Sequence, residues 1–290
     1  MSIKEDVKEF LTSRRARVTP EQAGLPTFGD KRRVTGLRRE EVALLAGVSA
    51  DYYTRLERGN LAGVSEQVLE ALARALRLDD AERAHLFDLA RASTGPVRGS
   101  RRTAVSKVRP GVLRILESLT TPAYLRNART DILAANDLAF VLYDGILDRV
   151  RLPLNVAKFL FFDYRAPGFF LDWETVADDA VAALRAEAGR NPHDKSLTDL
   201  VGELATRSEE FRTRWARHNV KYHRTATKRL HNSLVGDLEL TGEAMELTGD
   251  GLVIITYTAE PGSPAAEALR FLSNWAPQHT GPPAPQNSTP

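Results

Sequence analysis

The segment Leu37–Gly59 constrains the fold more than any other part of this chain. Its apolar residues follow helical spacing over Leu37–Ala46, and Gly47 then breaks the pattern. Ser49 is a favourable N-cap for a following helix, which we expect to end at Gly59, a residue that readily takes the left-handed conformation at a helix C-terminus. Two short helices joined by so tight a turn predict a helix-turn-helix arrangement, in which the two helices lie at a steep angle.

The rest of the N-terminal third also predicts helices. A capping box at Ser2–Glu5 begins a first helix, Ser65 caps a fourth, and a second capping box at Asp79–Glu82 begins a fifth. No alternating strand pattern is found before residue 100. We therefore expect an all-α domain over residues 1–93.

Charge is unevenly distributed along the chain, although the total is only +2. Residues 1–109 contain 21 Lys and Arg against 15 Asp and Glu, whereas residues 110–290 contain 19 against 23. A basic part joined to an acidic remainder favours nucleic-acid binding by the former, although an uneven solvated surface would give the same counts. Residues 94–109 hold five basic residues, Gly, Pro and no acid, which predicts a flexible basic linker.

Three sequence blocks in the basic part resemble the lambda-repressor-like (XRE) helix-turn-helix family. They are Glu40-Glu41-Val42-Ala43, Ala46-Gly47-Val48-Ser49 and Tyr53-Thr54-Arg55-Leu56-Glu57-Arg58-Gly59. Together with the long insertion Arg15–Thr35 they are similar to the MmyB-like branch of regulators. Further blocks extend the similarity into the C-terminal half, at Trp215, His218 and Val220 and then at Lys228–His231, Gly236–Leu240 and Tyr257–Ser263. The resemblance implies a multi-domain protein, with an all-α lambda-repressor-like head and an α+β, PAS-like C-terminal domain that binds a ligand.

The resemblance also implies which side chains meet DNA. The second helix of the motif would enter the major groove, where Arg55 can pair with both acceptors of a guanine and Asp51 can accept from cytosine. Asp51 could equally serve only the helix dipole, and the basic loop before the motif is either a phosphate clamp or a solvated loop. The expected DNA-binding residues are Lys31, Arg32, Arg33, Arg38, Arg39, Ser49, Ala50, Asp51, Tyr52, Thr54 and Arg55.

Beyond the linker the pattern changes to strands mixed with helices. Helices are predicted at residues 111–119, 172–190, 197–220 and 264–275, and strands at 123–127, 130–134, 227–231, 235–240 and 252–258. We expect residues 110–276 to form the α+β domain. Residues 277–290, with five prolines and no charged residue, are expected to be disordered.

Aromatic residues are concentrated in the second domain. Seven lie within Phe159–Trp173, a segment whose pattern does not indicate a regular element. They either cover an apolar ligand cavity or simply fill the core. The expected ligand-binding residues, which include two from the blocks that resemble the family, are Phe159, Phe162, Phe170, Trp173, Trp215 and His218.

The sequence argues against catalysis. It contains no cysteine, which excludes disulfides, thiolate metal sites and cysteine nucleophiles. His218, His223 and His231 lie close together but lack metal-ligand spacing with carboxylates, and phosphate-binding and nucleophile-elbow motifs are missing. We expect no enzyme activity, no cofactor and no metal; an enzyme with an accessory DNA-binding head is the alternative from another class.

These patterns together predict a cytoplasmic transcription regulator with no membrane partner. Near the N-terminus no apolar run approaches the roughly 20 residues of a membrane helix, and no signal-peptide pattern is present. The expected partners are double-stranded operator DNA and, as the resemblance implies, a small apolar or amphipathic ligand, such as a fatty acyl molecule, that modulates operator binding. We expect a homodimer, because one head offers limited specificity. In the alternative, the C-terminal domain only dimerises and has no effector.

Overall fold

Side-chain N-caps mark the start of at least seven of the thirteen α-helices in the described residues. A computed structural model describes residues 3–26, 34–94, 108–217, 225–249 and 251–279. The helices are α1 (Ile3–Arg17), α2 (Arg39–Ala46), α3 (Ala50–Glu57), α4 (Glu66–Ala75), α5 (Asp80–Ser93), α6 (Pro110–Ser118), α7 (Asp137–Leu142), α8 (Val156–Phe162), α9 (Ala166–Phe169), α10 (Trp173–Arg190), α11 (Lys195–Arg207), α12 (Glu209–Ala216) and α13 (Pro264–His279). The strands are β1 (Ala123–Asn127), β2 (Asp131–Ala135), β3 (Leu154–Asn155), β4 (Thr225–Asn232), β5 (Gly236–Leu247) and β6 (Leu252–Thr258).

The chain divides into two compact units. The first unit comprises Met1–Arg102 and Val181–Tyr222, and the second comprises Thr103–Ala180 and His223–Pro290. The described part of the first unit is helical, and the second contains an antiparallel sheet with helices. The expected fold class, an α-helical head followed by an α+β domain, is confirmed; the PAS-like assignment stays a prediction.

The first unit is built around the helix-turn-helix. Ser49 accepts the backbone N–H of Tyr52 at 3.1 Å and so caps α3, while Gly47, at φ 66°, ends α2. A buried cluster joins α1 to the other helices of the head through Val7, Phe10, Leu11, Val42, Tyr53, Leu56, Leu69, Leu72, Leu86 and Leu89. Gly59 allows a close approach to α1, because a Cβ atom there would lie 2.5 Å from the carbonyl oxygen of Lys4.

The helix before Gly47 is shorter than its apolar spacing indicates. The spacing extends back to Leu37, but α2 begins at Arg39, with Arg38 as its N-cap. The backbone N–H of Leu37 donates to the carbonyls of Arg15 and Val18 at 3.1 and 2.9 Å. This residue is therefore held by the end of α1, and its fully buried side chain belongs to the core rather than to a helix face.

The predicted domain boundaries differ in one segment from the two compact units of the structure, and they remain a prediction. The predicted second domain contains Val181–Ala216, whereas these residues belong to the first unit. Ala186 of α10 lies in the buried cluster of the head helices. The predicted single helix 197–220 is two helices, because Ser208 caps a new one by accepting the N–H of Phe211 at 3.1 Å.

The second unit is organised around one sheet. Its strand order is β3-β2-β1-β6-β5-β4, and all pairs are antiparallel. One face packs on the aromatic segment and on α7 and α13 through residues such as Ile132, Leu240 and Tyr257. The other face packs on α6, with Val112 and Leu116 in the same cluster as Leu125, Leu252 and Ile254.

Several elements of the second unit differ from the prediction. The aromatic segment, predicted to be irregular, contains the short helices α8 and α9. Asn155 caps α8 by accepting the N–H of Lys158 at 2.9 Å, and Asn136 caps the unpredicted α7 in the same way. These helices are too short for an apolar period to identify them. The last helix, α13, runs to His279, past the predicted start of the tail at residue 277.

Candidate functional site

The exposed side of α3 carries the residues expected to enter a groove. Tyr53 and Leu56 are fully buried and anchor this helix to the core. The expected residues on its other side are exposed or half-buried: Ser49, Ala50, Asp51, Tyr52, Thr54 and Arg55. The helix is thus fixed from behind while its N-terminal half presents polar groups, the arrangement in which a helix-turn-helix reads a major groove.

A buried carboxylate organises the base of this surface. Glu57 is 2% exposed and accepts the Nε–H of Arg15 at 2.7 Å and that of Arg39. The hydrogen bond to Glu57 raises the pKa of Arg39 above its ordinary value. Arg39 nevertheless stays 51% exposed. Glu57 therefore ties α1, α2 and α3 together and presents a cation at the start of α2.

The remaining expected phosphate contacts are only partly described. Arg38 is exposed, and its backbone N–H donates to the carboxylate of Glu41 at 2.6 Å. This bond satisfies the N–H of the N-cap residue itself, which is one half of a capping box. Lys31, Arg32 and Arg33 lie outside the described residues.

A second arginine network joins α1 to α5. Glu82 is buried and accepts both terminal nitrogens of Arg17 at 2.7 and 2.8 Å, and Arg14 lies 3.0 Å from the same carboxylate. The hydrogen bond to Glu82 raises the pKa of Arg17, whereas burial lowers that of Arg14. Many basic residues of the head are thus used internally, so its net charge overstates the cations that DNA can meet.

The helices of Val181–Ala216 pack against the head within the first unit. Arg185 is 3% exposed; its guanidinium lies 4.0 Å over the ring of Trp215 and donates to the carbonyl of that residue. Asp6 of α1 interacts electrostatically with Arg185, but burial dominates and raises the pKa of the Asp6 carboxyl to about 6. Gly189 lies against His85, since a Cβ atom on Gly189 would be 2.5 Å from Cε1 of that ring.

An open cavity of about 530 Å³ lies in the second unit beside the aromatic segment. Its wall combines apolar and charged side chains: Leu154, Asn155, Lys158, Phe159, Phe162, Asp163, Tyr164 and Arg165. Arg165 is held by Asp163 at 2.6 and 2.9 Å and by the carbonyl of Gly145 at 2.6 Å. The guanidinium of Arg165 lowers the pKa of the Asp163 carboxyl.

The structure brings together only some of the expected ligand-binding residues. Phe159 and Phe162 line the cavity. Phe170 is buried in the core behind Phe159, with ring centroids 6.2 Å apart, and Trp173 donates its indole N–H to the carbonyl of Leu160 at 3.0 Å. Trp215 belongs to the first unit, where it stacks on Phe211. His218 lies outside the described residues.

The sequence reasoning missed the charged residues of the cavity wall. Lys158, Asp163 and Arg165 interrupt the aromatic segment, and this interruption was the available signal. A wall of aromatic rings with a few charged groups suits an amphipathic molecule better than a purely apolar one.

Among the described residues, no group of three or more His, Asp or Glu side chains has the arrangement of a metal site. None of the described helices is both long and apolar enough to cross a membrane.

Two family models match the chain. The model of the MmyB-like transcription regulator ligand binding domain matches residues 108–272, and that of a helix-turn-helix domain matches residues 9–86. No curated protein matches the chain. The first match covers more than half of the sequence, and its range includes both the cavity wall and Val181–Ala216.

Proposed function

Because this chain belongs to the MmyB-like transcription regulators, we propose that its ligand-binding domain senses a small amphipathic molecule and thereby modulates the binding of operator DNA. DNA binding and transcription regulation, rather than catalysis, follow from the two matched families. The sequence specificity, the ligand class and the modulation are the proposal.

Operator recognition is assigned to the exposed half of α3. The observation that carries it is the division of this helix into a fully buried face, with Tyr53 and Leu56, and a polar face that ends in the exposed Arg55. Arg39, held by Glu57, would meet a phosphate beside the groove. Gel shifts with DNA from upstream of the gene and of neighbouring genes test this assignment. A salt-sensitive, sequence-preferring complex is expected, and its absence at all these sites would overturn it.

The ligand is assigned to the cavity of the second unit. Phe159, Phe162 and Leu154 supply apolar surface, and Lys158 supplies a cation at the wall. A fatty acyl chain with an anionic head group matches this wall, because the chain contacts the apolar surface and the head group pairs with the Lys158 cation. Native mass spectrometry of the purified protein and thermal shifts with fatty acids of graded chain length test this. No copurified molecule and no shift would favour a C-terminal domain that acts only in dimerisation.

Modulation of operator binding is supported by the position of Val181–Ala216. These residues lie within the range matched by the ligand-binding-domain model, yet they pack on α1 and α5 of the head. The same α1 carries Arg15, which holds Glu57 of α3. This part of the matched range is therefore linked, within the first unit, through α1 to the proposed DNA-contacting helix. Operator affinity measured with and without a bound fatty acid should differ, and identical affinities would contradict the proposal.

A homodimer is the expected operator-bound form. Two heads would contact half-sites about 34 Å apart, or a multiple of that spacing, along the duplex. Native mass spectrometry of the complex tests this through the protein-to-duplex ratio. Two chains per duplex are expected on a site with two half-sites, and a single chain would contradict the proposal.

A further inference from the structure

Arg55 and Tyr52 lie one helical turn apart on the exposed side of α3. The guanidinium carbon of Arg55 is 5.1 Å from the centroid of the Tyr52 ring, which is within the distance at which an aromatic face attracts a cation. Among the described residues no carboxylate forms an ion pair with Arg55, whereas Arg39 is paired with Glu57. The aromatic ring is therefore the contact that orients the Arg55 guanidinium.

The Tyr52 ring is itself held in place. Its backbone N–H donates to Ser49 Oγ at 3.1 Å in the first turn of α3. The ring is half-buried and packs against the buried cluster of the head. A fixed aromatic face lowers the conformational entropy that a long arginine side chain loses when it is immobilised on a ligand.

We propose that Tyr52 is a specificity-determining positioning residue, whose ring holds Arg55 ready to donate to O6 and N7 of one guanine in the operator. The two acceptors of guanine lie in one plane on the major-groove edge, and guanidinium is the planar donor that matches them. The inference rests on the proposed function, since it requires α3 to enter the major groove. It deepens that function by assigning the readout of one base pair to two cooperating side chains.

The test uses the full-length protein and a randomised duplex library, from which a preferred duplex is selected. Each guanine of that duplex is replaced in turn by 7-deazaguanine, which keeps O6 and lacks the N7 acceptor. The wild-type protein should lose about tenfold in affinity at one position, and Arg55→Ala should be insensitive there. Tyr52→Phe, the matched control that keeps the ring, should retain the discrimination. Tyr52→Leu should reduce it by about two- to fivefold.

Three outcomes would overturn the inference. One is a folded Tyr52→Leu protein with the full discrimination of the wild type. Another is a Tyr52→Leu protein that loses the same factor of affinity for the guanine and the 7-deazaguanine duplexes, because the ring would then act only through stability or a backbone contact. The third is a wild-type protein that is insensitive at every guanine. Tyr52→Met replaces the leucine variant if thermal melting shows the latter to be unfolded. A library with no enriched sequence would instead overturn the proposed function itself.

Discussion

Arg15 of α1 donates its Nε–H to the carboxylate of Glu57 of α3 at 2.7 Å, and both side chains are largely buried. The same carboxylate holds Arg39 at the start of α2. One acid thus joins the three helices that form and support the proposed DNA-contacting surface. Its position explains how a strongly basic segment packs without leaving several buried cations unpaired.

Replacing Glu57 should therefore destabilise the head. In Glu57→Gln two arginines lose their anionic partner, and we expect the free energy of unfolding to fall by about 2–3 kcal/mol, since Arg39 is half-exposed and can rehydrate. Urea denaturation followed by circular dichroism measures this loss. The matched control is Glu40→Gln on the exposed side of α2, for which a change below about 0.5 kcal/mol is expected. Equal effects of the two variants would contradict the role given to Glu57.

The packing of Gly189 on His85 gives a second prediction. A methyl group at residue 189 would meet the imidazole at 2.5 Å, so Gly189→Ala should cost about 1–3 kcal/mol of stability despite the higher helix propensity of alanine. Gly202 in α11 has open space around its Cβ position and serves as the control. Gly202→Ala should be neutral or stabilise by up to about 1 kcal/mol. Thermal melting of both variants distinguishes a steric contact from a general effect of helical glycine.

Asp6 should make stability depend on pH. Burial raises its folded-state pKa from 3.8 to about 6, against the opposing effect of Arg185 and the N-terminus and with the support of Glu9 and Glu5. The folded state therefore binds the proton more tightly than the unfolded chain, so stability rises as pH falls from about 6 to about 4. After allowance for partial exposure the gain should be about 1–2 kcal/mol.

The variant Asp6→Asn removes this titration. As pH falls through 6, the unfolding free energy of the wild type should rise relative to that of the variant. Glu66→Gln, at an exposed position in the first turn of α4 and not among the groups that act on Asp6, is the control and should leave the effect of Asp6 in place. A wild-type profile that is parallel to that of Asp6→Asn would show that Asp6 titrates in its ordinary range.

Arg39 should contribute affinity for DNA without contributing sequence preference. Removal of one phosphate contact in Arg39→Ala should weaken all duplexes alike and reduce the slope of log affinity against log salt by about 0.9. Arg91→Ala, which removes a cation exposed on α5 and paired with Asp88, is the control and should leave the slope unchanged. Fluorescence anisotropy over a salt series measures both. A selective loss on one sequence would instead place Arg39 at a base.

The cavity wall predicts a distinction between head groups. Lys158→Met should weaken a fatty acid about tenfold, as expected for loss of a charge-assisted hydrogen bond, and leave a fatty alcohol of equal chain length unaffected. Phe162→Ala should weaken both, because it removes apolar surface. Val150→Ala, at a highly exposed position of the same unit, is the control. Calorimetric titration gives the affinities. Equal losses for acid and alcohol in Lys158→Met would contradict recognition of the head group by Lys158.

What the sequence by itself determined about this protein was local. The caps at Ser49, Ser65 and Asp79 were identified correctly because each depends on a side chain and a backbone N–H only three residues away. Strand β1 was predicted at its observed bounds, since a short run that ends at the turn Ala128-Arg129 is a local signal. The family blocks were equally readable, because they are contiguous in the chain.

Only the tertiary structure decided which surfaces these elements share. The pattern of α10 identified a helix but not that Arg185 packs beside Trp215, nor that Gly189 lies against His85 of the head. Trp215 and Phe159 were expected in one site and belong to different units. Apolar and aromatic residues favour burial, but the hydrophobic effect has no direction, so the partner is chosen by packing across the whole fold.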